Sequence, residues 1–324
     1  MDHIVLKGQE VWIGGERRVA HRIAVVAGPV LNLRTLTTIH PFSVSSQSSS
    51  ATVYLHGAHV SSWTSPSGCE LLFMSEKAVF APPKALRGGI PVCFPQFSDM
   101  GAMESQHGFA RNAAFVVDEA AGDNSACKVT LLLDHTGSVA FPQPFQLRVS
   151  VEVRAPHGAL VQRLRVTNPA SAPGPLPFTA ALHTYIRVGD IGRAAVEGLG
   201  PGGRFLDSTD GRVEKVDEGG SLKFDREVDR IYLSPPGPLV VVDGAASRRV
   251  RITTDGLVDA VVWNPWTEKA AALADFGDDE FKHMVCVEPA AVTGGGGVGG
   301  LGGTPPPTGE SPTLSGSAPG GQLG

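Results

Sequence analysis

The sequence lacks the short motifs that mark the most common nucleotide-binding and hydrolytic sites. It contains no GxxxxGK[ST] phosphate loop, no GxGxxG between a strand and a helix, no HExxH zinc motif and no GxSxG nucleophile elbow. The run GGGGVGG is low in complexity and no helical pattern follows it, which is unlike a phosphate cradle. These absences weigh against nucleotide binding, metal-dependent hydrolysis and serine hydrolysis.

The sequence also has few cysteines, and its net charge is negative. The 324 residues include four cysteines without a CxxC pair, which indicates reduced thiols rather than the disulfide framework of a small secreted domain. The formal net charge of −5 provides no basic field for nucleic acid or for an anionic membrane surface. We therefore expect no nucleic-acid partner, and any anion site must be local.

Long apolar runs are also missing. No segment approaches the roughly 18 to 20 apolar residues that a bilayer-spanning helix needs. Asp2, Glu10 and Glu16 lie where a transit peptide would be poor in acidic residues. We expect a soluble, cytoplasmic protein without a membrane partner. An unusual organelle signal within residues 1–40 is the alternative that stays open.

Most of the remaining pattern is typical of β-strands. Short runs rich in Val and Leu, such as VTLLLD and LVVVD, are bounded by Gly, Pro, Asn and Asp. Turn signals recur at intervals of about 8 to 12 residues, which predicts an antiparallel sandwich or barrel. The segment 145–168 predicts a hairpin with one shared buried face. The residues of that face are Leu147, Val149, Val151, Val153, Leu160, Gln162, Leu164 and Val166.

Changes in composition divide the chain into three parts. Residues 1–44 form a weakly patterned N-terminal extension, and a serine-rich stretch, SVSSQSSSA, leads into the strand-rich part. Residues 45–292 carry the strand pattern and are expected to form one β domain. Residues 293–324 are rich in Gly and Pro and hold too little apolar surface to offset the entropy of ordering, so we expect a disordered tail.

Four short constellations could carry chemistry: LRGG at 86–89, QHGFAR at 106–111, ALHTY at 181–185 and VCVEPA at 285–290. The guanidinium of arginine is a planar fork that fits phosphate or carboxylate, and glycine lets a ligand approach the backbone. The glycine- and proline-rich stretch that holds Arg87 and Arg111 therefore predicts an anion-binding loop. The alternative for both arginines is a surface salt bridge or a hydrogen bond that pins a loop.

Other polar and aromatic residues have two interpretations each. His183 follows an apolar residue, and such a histidine is more often a satisfied buried side chain than a catalytic one. Glu288 lies within an apolar run, where burial would raise its pKa, so a solvated strand end and a functional carboxylate remain equally open. Trp263 and Trp266 could stack on a sugar or anchor the core, and the core is favoured.

Taken in order, the four constellations resemble those of the glucose-6-phosphate 1-epimerases, or hexose-6-phosphate mutarotases, of the aldose 1-epimerase superfamily. Further stretches similar to plant-type members are LHGAHVSSW, ELLFMSEKAVFAPPKALRGGIPVCFPQF, HTYIRVGDI, VEGLG, EVDRIYLS, VVWNPWTEK and LADFGDDEFKHMVCVEPAA. The resemblance covers residues 45–292 in one register. It implies an all-β fold, namely a large antiparallel β-sandwich of the galactose-mutarotase type with an active cleft on one sheet.

The resemblance also implies roles for individual residues. His183 of HTY would be the general acid or base that handles the ring oxygen, and Glu288 the base that takes the proton of the anomeric hydroxyl. The implied substrate contacts are Arg87, Gln106, Arg111 and Asp229, with His107 as a further candidate. The two arginines are expected to hold a 6-phosphate.

The chemistry of anomer exchange suits these residue types. A base and an acid open the ring to an aldehyde, which rotates and recloses on either face, and no metal or other cofactor is required. An imidazole that titrates near 6.5 can donate a proton at neutral pH, and a buried glutamate becomes a better base. Two charge-assisted arginine forks could clamp one phosphate, which favours a hexose 6-phosphate over a free sugar.

The chain departs from the resemblance at both ends. Family members continue after the segment of Glu288 with a further strand, a turn and a last strand, whereas a glycine-rich tail follows Val292 here. The loss of an edge strand would expose unpaired backbone groups next to the strand of Glu288. Two alternatives stay open, an aldose 1-epimerase of free sugars and a catalytically inert sugar-phosphate-binding protein. In each case we expect a monomer.

Overall fold

The computed structural model describes residues 2–11, of which only the backbone is considered, and residues 41–46, 49–155 and 158–292. The predicted tail at 293–324 and most of the predicted extension at 1–44 lie outside the described residues. The described part contains twenty strands and one short α-helix. The strands are β1 (Asp2–Val11), β2 (Pro41–Ser46), β3 (Ser49–Tyr54), β4 (His59–Thr64), β5 (Val92–Cys93), β6 (Val116–Val117), β7 (Lys128–His135), β8 (Phe145–Arg154), β9 (Ala159–Thr167), β10 (Ala180–Leu182), β11 (Tyr185–Arg187), β12 (Ala194–Glu197), β13 (Arg204–Asp207), β14 (Val213–Val216), β15 (Leu222–Lys223), β16 (Val228–Tyr232), β17 (Leu239–Asp243), β18 (Arg248–Asp255), β19 (Asp259–Asn264) and β20 (Met284–Ala291), and the helix is α1 (Trp266–Ala272).

Two large sheets pack against each other and a small one completes the fold. The nine-stranded sheet has the order β15-β12-β17-β18-β1-β9-β8-β7-β6, and the three-stranded sheet the order β2-β3-β4. The eight-stranded sheet has the order β14-β13-β16-β19-β20-β10-β5, with β11 also paired to β20. Pairing is antiparallel except that β1 lies parallel to both β18 and β9. The predicted all-β class and large sandwich are confirmed.

The predicted hairpin is present as β8 and β9, which lie between β1 and β7 in the nine-stranded sheet. Leu147, Val149 and Val151 alternate with partly exposed residues and are fully buried. They face the other large sheet, because Val285 and Val287 of β20 belong to the same hydrophobic core. Each such side chain contributes about 1.5–3 kcal/mol through burial. The core between the sheets therefore holds β20 in place.

β20 lies in the interior of the eight-stranded sheet. It pairs with β19 on one side and with β10 and β11 on the other. The exposed edge expected beside the strand of Glu288 is thus not found among the described residues. Within the same ranges, no helix is long and apolar enough to cross a membrane.

A buried histidine makes the stability of this fold depend on pH. His59 of β4 is only 1% exposed, and its Nε2 has no hydrogen-bond partner among the described residues. Burial, with a smaller effect of His56, lowers the pKa of His59 to about 3. In the unfolded chain the imidazole of His59 binds a proton as the pH falls through about 6.5, whereas in the folded chain it stays neutral until a far lower pH. The stability from a neutral His59 is therefore complete above pH 6.5 and is lost as the pH falls.

We expect the free energy of unfolding to decline below pH 6.5, with His59 contributing up to about 1.4 kcal/mol per pH unit. Urea unfolding at pH 7, 6, 5 and 4 measures this slope. His59→Gln should make the slope shallower by that amount, since it removes the titrating group. An unchanged slope in the variant would contradict the assignment of His59 as a buried neutral imidazole.

Candidate active site

The strand register places His183 directly across from Glu288. β10 and β11 pair with β20 in one continuous antiparallel register. The connection between them stays in that register, because the amide of Val287 donates to the carbonyl of Thr184 at 3.0 Å. The imidazole Nδ1 of His183 lies 3.2 Å from the carboxylate Oε1 of Glu288, and the two side chains are 11% and 2% exposed. The two residues predicted to be catalytic are therefore in contact.

Both side chains lie on the face of the eight-stranded sheet that points away from the main core. Successive residues of a strand alternate between faces, so Glu288 points opposite to Val287, which packs in the core. Its cross-strand neighbour Val261 and the adjacent Ile231 belong to a second, smaller hydrophobic cluster on this outer face. At the site, the polar side chains of His183 and Glu288 are thus surrounded by an apolar surface.

Two aromatic rings fix the imidazole from the side. The ring of His183 stacks on Tyr185 at a centroid distance of 4.8 Å and an angle of 9°, as their two-residue spacing on one strand face allows. The ring of Trp263 meets His183 edge to face at 5.8 Å. Trp263 is 8% exposed and contacts the core, as expected, but it also borders the site. Trp266 packs on Phe281 at 5.2 Å.

Burial controls the charges of His183 and Glu288, which we call the central pair. It raises the pKa of Glu288 well above its usual range, and the Asp229 carboxylate adds to the rise while Arg111 opposes it. It lowers the pKa of His183, and His107, Arg111 and Arg87 lower that pKa further. Both shifts favour the uncharged forms. Burial therefore favours a neutral imidazole and a neutral carboxyl group at this contact.

The LRGG motif supplies the first arginine. Arg87 donates through Nε to Asp275 Oδ1 at 3.1 Å and through Nη1 to the hydroxyl of Tyr185 at 3.2 Å. The glycines have a different purpose from the one predicted, since they make room for protein backbone and not for a ligand. At Gly89, with φ +60°, a Cβ would lie 2.2 Å from the carbonyl oxygen of Val60. The glycines thus let the chain that follows Arg87 lie directly against the backbone of β4, which fixes the position of the arginine.

The loop from Gln96 to His107, which we call the Gln96 loop, is organised around one amide side chain. Gln96 is 2% exposed, and its Nε2 donates to the carbonyls of Ser98, Met103 and Ser105 at 3.0, 3.1 and 3.5 Å. Its Oε1 accepts from the amide of Met103 at 2.9 Å. Compact loops held by their own side chains are often functional. This amide fixes the shape of the loop that ends at the site.

His107 closes the Gln96 loop and faces the central pair. Its amide donates to the carbonyl of Ser98 at 2.8 Å, and its Nδ1 accepts from the amide of Ser98 at 3.2 Å. Because Nδ1 accepts, the proton of the neutral ring is on Nε2. Burial and the charges of Arg111 and Arg87 lower the pKa of His107 to about 3. Its ring lies 5.5 Å from that of His183, so a neutral donor adjoins the pair.

The QHGFAR motif supplies the second arginine. The turn Ala110–Asn112 carries Arg111, whose Nη2 donates to the carbonyl of Gln106 at 3.0 Å. The Nε of Arg111 is buried and has no partner among the described residues. The side chain of Gln106 is exposed, so the residue predicted as a substrate contact orients Arg111 through its backbone. Gly108 lets the chain pass Phe94, because a Cβ there would lie 2.3 Å from the carbonyl oxygen.

Asp229 lies at the opposite side of the site. It is the cross-strand partner of Trp263, two strands from Glu288, and its Oδ2 is 3.7 Å from the Nζ of Lys269 on α1. Burial raises the pKa of Asp229, which Lys269 partly offsets. The structure therefore brings His183, Glu288, Arg87, Arg111, Asp229 and His107 around one site.

Sequence reasoning missed three residues of this site. Tyr185 and Cys286 each lie two positions from a predicted catalytic residue, and the two-residue period of a strand could have indicated that they share its face. Gln96 had no such signal, because its partners are backbone carbonyls set by the fold of the loop. Together, an imidazole in contact with a carboxyl group and two guanidinium groups that act on the imidazole electrostatically can exchange protons with a ligand and hold its anionic group.

Comparisons with known proteins agree with this geometry. The family model described as aldose 1-epimerase matches residues 42–298. A protein of Cenchrus ciliaris that carries the provisional name glucose-6-phosphate 1-epimerase is 43% identical over 249 residues, which are 75% of this chain and 75% of that protein. A crystal structure from Salmonella typhimurium, provisionally described as a mutarotase, has 30% identity and a TM-score of 0.68, and the match covers 82% of this chain and 90% of that one. A galactose mutarotase-like structure from Lactobacillus casei shares the fold, with 18% identity, a TM-score of 0.61 and coverage of 78% and 87%.

The Gln96 loop provides a test of this site that does not depend on catalysis. Gln96→Leu should lower the free energy of unfolding by about 1–3 kcal/mol, because buried loop carbonyls lose their donor. It should also release His107 from the tautomer protonated at Nε2. Long-range proton–nitrogen NMR of the histidine rings reports that tautomer.

Asn124 is a matched control, since its amide bridges Asp118 and Thr130 in a turn of the nine-stranded sheet. Asn124→Leu should lower stability similarly but leave the His107 signals unchanged. If Gln96→Leu also left those signals in place, the loop would not set the tautomer.

Proposed function

The chain belongs to the aldose 1-epimerase family, and from this premise we propose that it interconverts the α and β anomers of a hexose 6-phosphate, with glucose 6-phosphate as the representative substrate. Members of this family are isomerases, so the chain is an enzyme of carbohydrate metabolism. The observation that carries the proposal is the contact between His183 and Glu288, with Arg87 and Arg111 close enough to lower the pKa of His183. The name of the Cenchrus ciliaris relative supports the same substrate.

The two arginines are the proposed phosphate clamp. Arg87 and Arg111 both act electrostatically on His183 and on His107, so their charges converge on one part of the site. Arg87 is held in a fixed orientation by Asp275 and Tyr185. The buried and unpartnered Nε of Arg111 is a donor that a phosphate oxygen could satisfy. A free hexose would leave this positive charge uncompensated.

The proposed reaction is a pair of coupled proton transfers. Glu288 removes the proton of the anomeric hydroxyl while His183 protonates the ring oxygen, and the bond between C1 and the ring oxygen breaks. Rotation about the C1–C2 bond of the open aldehyde and reversal of both transfers give the other anomer. All atoms and electrons balance within the sugar and the pair, so the proposal invokes no cofactor.

A bound phosphate would also change the pKa values of the two groups. Arg111 and Arg87 lower the pKa of His183, and a phosphate dianion would cancel part of their field. The imidazole would then hold the proton of a general acid more readily. Because Arg111 also lowers the pKa of Glu288, the same binding would make that carboxylate a stronger base.

The remaining predicted residues surround the sugar. We assign Asp229 to hydrogen bonds with sugar hydroxyls and His107 to donation from Nε2. Gln106 acts through its carbonyl on Arg111. A cytoplasmic location and a monomeric state complete the proposal, and the free state of Cys69, Cys93, Cys127 and Cys286 supports the location.

The acid–base assignment is tested by exchange spectroscopy on glucose 6-phosphate. We expect His183→Ala and Glu288→Gln each to slow anomer exchange by about 10²- to 10⁴-fold, which is the usual contribution of a general acid or base. His135→Ala, which removes a partly buried histidine of the nine-stranded sheet, should leave exchange unchanged. Wild type that broadens the ligand signals without faster exchange would instead be an inert sugar-phosphate-binding protein.

The phosphate clamp is tested by comparing two substrates. Arg111→Ala should raise KM for glucose 6-phosphate by about 10- to 100-fold, as the loss of a hydrogen bond to a charged group implies. Turnover of glucose should change little. The control Arg204→Ala removes an arginine whose ion pair with Glu214 is exposed, and it should affect neither substrate. Equal effects of Arg111→Ala on both substrates would favour an epimerase of free sugars.

A further inference from the structure

The thiol of Cys286 lies in the site but has no part in the proposed reaction. We propose that His183, Cys286 and Glu288 together bind a thiophilic divalent cation of the zinc type, and that this cation competes with the sugar. The cation site follows from the geometry alone. The competition rests on the proposed function, because it assumes that the sugar needs the same two polar groups.

The strand geometry brings three different ligand atoms together. Cys286 and Glu288 are two residues apart on β20 and therefore point to the same face, while His183 lies across from Glu288. One atom from each residue, an imidazole nitrogen, Sγ and a carboxylate oxygen, lies within 4.8 Å of the other two. All three residues are buried.

The distances are close to those of a tetrahedral site. Zinc bonds of about 2.0–2.3 Å place neighbouring ligands about 3.3–3.8 Å apart. The 3.2 Å between Nδ1 and Oε1 already matches this spacing. The sulfur lies no more than 4.8 Å from the other two ligand atoms, so an inward shift of at most about 1.5 Å completes the same triangle.

Two of the buried polar atoms point to a missing ligand. The Nδ1 of His183 and the Oε2 of Glu288 are inaccessible and form no well-aligned hydrogen bond with any described residue. Buried polar atoms of this kind usually have a partner. Cation binding would release the thiol proton of Cys286 and the carboxyl proton of Glu288 to solvent. The resulting set of imidazole, thiolate and carboxylate selects zinc or a similar cation over magnesium or calcium, which prefer oxygen ligands alone.

The surroundings make the proposed binding reversible. Three protein ligands leave a fourth position open, unlike a closed structural zinc site. Arg111 places a positive charge near the pair, which weakens the attraction for a cation, whereas the charge of Arg87 is balanced by Asp275. A cation held in this way would occupy both catalytic groups and act as an inhibitor.

Cobalt titration of the intact protein tests the cation site directly. Co²⁺ coordinated by a thiolate absorbs in the near ultraviolet, so wild type should gain a sulfur-to-cobalt band that zinc removes. Cys286→Ala and Cys286→Ser should lose the band, and melting curves show whether they are folded. Cys93→Ala, which removes another buried thiol, and Cys69→Ala, which removes an exposed one, should keep it.

Inhibition tests the competition separately. Zinc should slow anomer exchange less as glucose 6-phosphate is increased. Measured against its own rate without zinc, Cys286→Ala should need at least about tenfold more zinc for half inhibition. No cobalt band, or a band unchanged by both Cys286 substitutions, would overturn the site whether or not the protein is an epimerase. A cobalt band with inhibition that glucose 6-phosphate does not relieve would overturn the competition.

Discussion

The antiparallel register between β20 and the segment of β10 and β11 is the constraint on which the site depends. It sets His183 opposite Glu288 and keeps both on the outer face of the eight-stranded sheet. A slip of one residue would turn Glu288 toward the main core, where an unpaired carboxylate is strongly destabilising. The same slip would turn Val285 and Val287 away from the main core, in which they are buried. Core packing and the geometry of the site are therefore specified by the same strand.

The site also concentrates polar groups that the protein leaves without partners. Glu288, His183 and Arg111 each have a buried polar atom that lacks a partner in the described part of the chain. Each such atom opposes folding by about 1–3 kcal/mol, and the apolar core of two large sheets has to offset it. A ligand with hydroxyl and phosphate groups would satisfy these atoms on binding. The pKa shifts of His183 and Glu288 have the same main cause, because burial removes water from their charged forms.

The β class and the hairpin of β8 and β9 could be predicted from sequence because strand periodicity is local. Leu147, Val149 and Val151 show their buried face within a few residues. Glu288 could be singled out because burial of a carboxylate within an apolar run is unfavourable unless an interaction or a function compensates for it. The family resemblance implied a role for Glu288 and for His183, but their contact could not be predicted, because the register between distant strands is not encoded in either segment. The role of Gln96 could not be predicted from the sequence, since its partners are backbone atoms of a folded loop.

The interior place of β20 has a consequence for synthesis of the chain. β20 is the last strand of the described residues, yet it joins β19 to β10 and β11. Until the ribosome has released it, the eight-stranded sheet consists of two pieces with open edges, and such edges invite pairing with other chains. Glu288 arrives on the same strand. A nascent chain is thus most exposed to aggregation just before the segment that closes the sheet also completes the acid–base pair.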